Sequence, residues 1–503
     1  MFSLGYDIGS SSIKCAILDV TSGKVIAARS YPEEEMAILA PSPGWAEQEP
    51  ETWWQIVREV TQRTVASASI DPGQIAAIGI SYQMHGLVLV DRKQKSLRPA
   101  IIWCDSRAVE IGDSAFTALG AEYCLSRLGN SPGNFTASKL RWVQINEPQV
   151  YRLIYKAMLP GDYIAMRLTG AIRSTVSGLS EGILWDFTDE AISEQLLQHY
   201  AIDRALLPEI VPTFSLQGEL NNQAARDLGL RPGTVVSYRA GDQPNNAFSL
   251  NVLNPGDVAA TAGTSGVVYG VADHLLRDNQ SRVNQFAHVN HSPDRQRLGI
   301  LMCVNGTGIL NSWLRKNFGA GSTYAQLNEL AEKVRPGSDG LTVLPFGNGA
   351  ERILENKSIG ARVLGLDLNR HTRDHLFRAA QEGIAFALLY GMNLMKEMGM
   401  PIGVIRAGRA NMFLSSVFRQ TLSDAANVTI ELYNTDGAQG AARGAAVGAG
   451  LWKGFDQAFQ TLEKVEIVRP DGRTAPGTIE AFQRWVDALN DAMTAENSFT
   501  RGR

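Results

Sequence analysis

The chain has 503 residues, 44% of them apolar and 19% charged, with a net charge of −4. That length exceeds what one hydrophobic core usually serves, so at least two domains are expected, and the composition excludes a disordered chain. The charge balance gives no bulk attraction for nucleic acid or an anionic membrane surface, so any phosphate must be held locally.

The N-terminus, Met1-Phe2-Ser3-Leu4-Gly5-Tyr6-Asp7, lacks a basic stretch followed by an apolar run, so no signal peptide is expected. No apolar stretch reaches membrane-spanning length, and a cytoplasmic protein is expected. Residues 4–8 read as one apolar strand, and Ile13, Cys15 and Ile17 alternate on a second. After the turn Thr21-Ser22-Gly23-Lys24 a third begins at Val25. Pro50 opens a helix with Trp53, Ile56, Val57 and Val60 at helical spacing. Residues 75–80 and 87–90 are short buried strands. Between them Ser81-Tyr82-Gln83-Met84-His85-Gly86 is polar and glycine-ended, which places it at a strand end facing a cleft. The four cysteines (Cys15, Cys104, Cys124, Cys303) show no CxxC pairing and fit reduced thiols, not a zinc site.

A second unit begins near Asn254-Pro255-Gly256, which divides the chain into expected domains at 1–250 and 251–503. Residues 258–262 lead into the turn Gly263-Thr264-Ser265-Gly266 and a further strand. This repeats the N-terminal plan and sets Asp7 opposite Thr261. A strand at 298–304 follows, then helices around 311–317 and 374–398 and a strand at 404–405. A helix near 414–426, a strand at 428–432 and a small-residue helix at 437–451 complete the pattern. Strands alternating with helices in both halves predict an α/β fold.

Three loops are suited to phosphate. Gly9-Ser10-Ser11-Ser12-Ile13-Lys14 and Gly263-Thr264-Ser265-Gly266 each join two strands, and Ala407-Gly408-Arg409-Ala410-Asn411 lies between a strand and a helix. Small residues let the backbone approach an anion, while N–H groups, hydroxyls and Lys14 supply donors and charge. Any one of them could be an ordinary glycine turn. There is no Walker loop and no HRD or DFG set, so a phosphotransferase here would use a paired-hairpin cradle. Asp242, in Gly241-Asp242-Gln243 after the strand-like Val235-Val236-Ser237-Tyr238, is either a turn residue or the carboxylate that takes a proton from an accepting hydroxyl. His85 is either a core histidine or a ligand contact. Trp103-Cys104-Asp105-Ser106-Arg107 could be no more than a strand-end salt-bridge cluster.

These segments, Asp7-Ile8-Gly9-Ser10-Ser11, Gln83-Met84-His85-Gly86, Trp103-x-Asp105-x-Arg107, Gly241-Asp242-Gln243 and Gly263-Thr264-Ser265-Gly266, together resemble the FGGY family of carbohydrate kinases in order and spacing. The resemblance implies two ribonuclease-H-like (actin/hexokinase-type) α/β domains flanking a catalytic cleft, with a sugar, ATP and Mg²⁺ meeting there. In the implied roles Asp242 is the catalytic base, and Asp7 is catalytic through the magnesium ion by way of water. Gln83, Met84, His85, Asp105 and Gln243 are implied sugar contacts. Ser10, Ser11, Ser12, Lys14, Thr264 and Ser265 are implied phosphate contacts; Gly308, Gly408 and Asn411 are implied nucleotide contacts. The Gln-Met-His-Gly segment is similar to that of xylulose-phosphorylating members, where glycerol-phosphorylating ones carry Arg-Glu; ribulose, gluconate and glycerol stay open as substrates. A non-catalytic ATPase of the same superfold is the rival from another class. Arg406-Ala407-Gly408 departs from the family's glycine pair, and Ile353-Leu354 follows Glu351-Arg352 where Thr-Pro is common. That leaves open the adenosine contacts after Gly408, and whether the loop 347–354 lines the cleft or meets a second subunit of a homodimer.

Overall fold

The computed structural model describes residues 1–355 and 357–500. Two mixed sheets, one from each half of the chain, repeat a single plan. The first has the strand order Phe214–Glu219, Val235–Gly241, Ile75–Tyr82, Phe2–Ile8, Ile13–Asp19, Val25–Tyr31. The second runs Asn284–Ala287, Leu298–Val304, Gly266–Ala272, Asp257–Ala262, Val404–Gly408, Thr429–Tyr433, Lys464–Val468. In each, the opening strand forms an antiparallel hairpin with the next and a parallel pair with a strand from much later in the chain. Asp7 and Thr261 each stand one residue before the end of their strand, so the inferred equivalence holds in three dimensions. The α/β architecture is the one the resemblance implied.

Alternation assigns the faces. Leu4, Tyr6 and Ile8 are fully buried on one side of the first sheet, toward the helix Pro50–Ala68, which buries Trp53, Val57 and Val60. On the other side the strands carry Gly5 and Gly79. A Cβ on Gly5 would lie 2.1 Å from the Ala438 carbonyl oxygen, and one on Gly79 2.0 Å from that of Ala441. Only glycine permits this approach, and what approaches is the helix Gly437–Gly448, supplied by the second half of the chain. Its small residues Ala441, Ala442 and Ala446 are fully buried.

The long helix Arg373–Glu397 serves the second sheet, burying among others Phe377, Leu388 and Met392. The helix expected from residue 414 starts at Ser416, because Ser415 caps it and residues 411–414 form a short 3₁₀ turn. Among the described residues no helix is long and apolar enough to cross a membrane.

Candidate active site

The first hairpin turn is closed by the Gly9 N–H donating to the Ser12 carbonyl at 3.1 Å. Gln48 Nε2 donates to the Ser10 carbonyl from behind, at 2.7 Å. Ser10, Ser11 and Ser12 remain at least partly exposed, and Lys14 is exposed. The second turn is held by a residue that the sequence did not single out. Thr307 Oγ1 donates to the carbonyls of Gly263 and Thr264 at 3.0 and 3.1 Å, and the Gly308 N–H donates to the Gly263 carbonyl at 2.9 Å. This seats the N-terminus of the helix Gly308–Phe318 on the turn and leaves Thr264 exposed. A Cβ on Gly263 would meet Asn411 Nδ2 at 3.5 Å, so the Gly408–Asn411 loop and the second turn are neighbours.

Asp242 is the first residue of the helix Asp242–Ser249, directly after the strand that ends at Gly241. The N–H and side chain of Gln243 hydrogen-bond its carboxylate. Burial, and then the nearby charge of Asp7, nevertheless push the Asp242 carboxyl up to about 7. Asp7 is itself pushed up by burial and by Asp436, while Lys14 and a 2.9 Å bond from Ser81 Oγ oppose the shift. Both carboxylates are partly exposed. Asp436 caps the helix Gly437–Gly448 by accepting from the Gln439 N–H at 2.9 Å. Gly437 follows it so closely that a Cβ there would lie 2.5 Å from Asp7 Oδ2. The segment 435–437 is thus a junction: it touches Asp7, Thr435 meets Ser249 of the Asp242 helix at 2.6 Å, and Gly408 lies beside the Thr435 carbonyl. Asp7 feels the charges of Lys14 and Asp436, and its own charge acts on Asp242. Among the described residues no group of three His, Cys, Asp or Glu side chains could hold a metal unaided.

Met84 is buried against Gly241, where a Cβ would meet its Cγ at 2.6 Å, so it lies next to Asp242. His85 follows with a left-handed φ of 60°. Its Nδ1 lies 2.9 Å from the Glu181 carbonyl oxygen. A carbonyl can only accept, and burial pushes the ring down to about 3, so the imidazole is neutral with its proton on Nδ1 and Nε2 is left as an acceptor. The ring meets Phe135 edge-on at 4.8 Å and lies 5.2 Å from Phe286, a residue of the second sheet. Arg352 sits 5.3 Å over the Phe135 ring and its charge acts on His85. The Glu351-Arg352 loop therefore reaches the surroundings of His85 within the same chain; the Glu351 side chain lies outside the described residues.

Two expected sugar contacts, Asp105 and Gln83, are buried with hydrogen-bond partners of their own. Asp105 is fully buried, accepting from the Ala46 N–H at 2.6 Å and from Arg107 Nε and Nη2 at 2.9 and 2.7 Å. Arg107 in turn lies 3.8 Å over the Trp45 ring. The salt-bridge cluster is what this motif forms, and it consumes the carboxylate. The motif presents Trp103 instead, half-exposed, its Nε1–H donating to Ser10 Oγ at 3.3 Å. Gln83 is buried behind the first turn, its Nε2 donating to Gln48 Oε1 at 3.3 Å.

The model of the N-terminal domain of the FGGY family of carbohydrate kinases matches residues 2–249, and that of its C-terminal domain matches residues 258–451. A xylulose kinase of Escherichia coli K12 is 32% identical over 449 residues, 88% of each chain. One of Bacillus subtilis is 28% identical over 463 residues, 91% of this chain and 90% of the relative. The crystal structure of xylulose kinase from Rhodospirillum rubrum superposes with a TM-score of 0.87 at 25% identity, covering 99% of this chain and all of that one.

Proposed function

The chain belongs to the FGGY family of carbohydrate kinases, and on that premise we propose that this ATP-dependent sugar kinase phosphorylates D-xylulose on its C5 hydroxyl, with Asp242 as the base. Asp242 carries the proposal: it is a partly exposed carboxylate at the start of a helix, within the field of Asp7 and beside the Met84-His85 segment. The names of the relatives favour xylulose over the other sugars.

In the proposed reaction Asp242 takes the hydroxyl proton as the sugar oxygen attacks the γ-phosphorus in line. The bond to the β–γ bridging oxygen breaks and ADP leaves. Most of the catalysis is positioning and charge neutralisation. The turns 9–12 and 263–266 flank the phosphates with N–H groups and hydroxyls. Asp7 fits a water-mediated contact to Mg²⁺, which typically keeps several waters and binds through one or two carboxylates and substrate phosphates. When bound, that ion neutralises phosphate charge. Sugar recognition is assigned to residues 1–250 and nucleotide binding to residues 251–503. Closure of the halves over the sugar would exclude water, which could otherwise accept the phosphoryl group.

Measuring ADP release across D-xylulose, ribulose, gluconate and glycerol tests the substrate. D-Xylulose is expected to have the highest kcat/KM, with glycerol worse by ~10² or more, because a site built to bond particular hydroxyls is penalised when they are missing. A higher value for glycerol or gluconate would remove xylulose and leave the family assignment standing. Asp7→Ala is expected to raise the magnesium concentration needed for activity, since a carboxylate that orients the ion has gone. Unchanged turnover with an unchanged magnesium requirement would make Asp7 purely structural.

A further inference from the structure

We propose that Lys139 is a positioning residue for sugar selection, which ties the His85 turn to the Trp103 segment and so holds His85 Nε2 toward the substrate as a fixed hydrogen-bond acceptor. The inference rests on His85 being a sugar contact. Lysine is almost never fully buried, yet Lys139 is, on the helix Thr136–Asn146. Its Nζ donates to the carbonyls of His85 and Ile102, both at 2.9 Å. Ile102 immediately precedes Trp103, whose indole bonds Ser10 of the first phosphate turn. The same helix also holds Gly86, through Thr136 Oγ1 donating to its carbonyl at 3.3 Å.

His85 needs such anchors. A non-glycine residue with φ near 60° sits in a costly region and persists only where its surroundings over-determine it. Two bonds do so here. The Glu181 carbonyl fixes the ring through Nδ1, and Lys139 fixes the backbone through the carbonyl. Without the Lys139 amino group the backbone at His85 loses one of its two anchors, and the ring is held in its orientation less firmly. The sugar pocket then loses an acceptor aimed at a hydroxyl, while the second phosphate turn, held by Thr307, makes none of these bonds.

The test is a double-mutant cycle with Lys139→Met, repeated with the shorter donor variant Lys139→Gln, each in the parent and in a His85→Ala background. Lys139→Met is expected to lower kcat/KM for the sugar by ~10-fold or more while the KM for ATP stays within about twofold. Lys139→Gln is expected to lose less. The Lys139→Met loss should shrink toward nothing in the His85→Ala background, because both substitutions remove one interaction. Equal losses in both backgrounds, a rising KM for ATP, or failure of both lysine variants to fold would make Lys139 a structural residue and overturn the inference. His85→Ala without effect on sugar use would remove the sugar-contact reading itself. His85→Ala with an effect and Lys139→Met without one would remove only the inference.

Discussion

Asp242→Asn is expected to bind sugar and ATP within a few-fold of the parent and to turn over at least ~10² more slowly. The amide keeps the size and most hydrogen bonds of the carboxylate at the head of its helix, so the pocket should survive; what goes is the ability to take a proton. The parent should also lose kcat/KM as the pH falls through the Asp242 pKa, because protonation removes the base. Burial and Asp7 set that value near 7, and a cation beside Asp7 lowers it, so the acid limb is expected at or below pH 7. The limb should be absent from the residual activity of Asp242→Asn. Near-normal turnover in the variant would remove Asp242 from the base role.

Gly79→Ala is expected to destabilise the protein by ~3 kcal/mol, the upper part of the range for forcing one methyl group into a filled interior. The added Cβ would stand 2.0 Å from the Ala441 carbonyl oxygen and 2.8 Å from its carbon. Both are backbone atoms and cannot turn aside as a side chain would. The strand cannot retreat either, since Ile75–Tyr82 is paired on both edges, with Phe2–Ile8 and Val235–Gly241. Thermal unfolding should show an early loss of the first unit, whereas Gly472→Ala, with nothing within 4 Å of its Cβ, should leave the transition in place. A Gly79→Ala protein as stable as its parent would mean that the helix Gly437–Gly448 does not lie on this strand.

Local rules made much of the molecule legible. The hairpins 2–19 and 257–272 follow from alternation interrupted by small-residue turns, and the helix at Pro50 from spacing that buries Trp53, Val57 and Val60. The duplication was visible because both copies use the same turn chemistry. Asp242 stood out because an acidic residue follows a strand and a glycine, a pattern that also fits a turn residue; only the resemblance to the family implied its role as base. Each of these patterns depends on neighbours within a few residues.

The rest had no local signature. Nothing in Ser138-Lys139-Leu140 marks that lysine as fully buried between two carbonyls. The Trp103–Arg107 motif was ambiguous from sequence, and the Ala46 N–H that occupies Asp105 comes from a distant segment. Thr307 acts on a turn formed by residues 263 and 264, and Asp436 acts on Asp7 near the other end of the chain. Periodicity and turn chemistry are set by adjacent residues, so the sequence alone determined the strands and the turns. Burial and hydrogen-bond partnership depend on which segments meet after the chain has crossed itself. Only the tertiary structure laid the helix Gly437–Gly448 across the glycines of the first sheet and against Asp7, and only it brought the Glu181 carbonyl and Lys139 to His85.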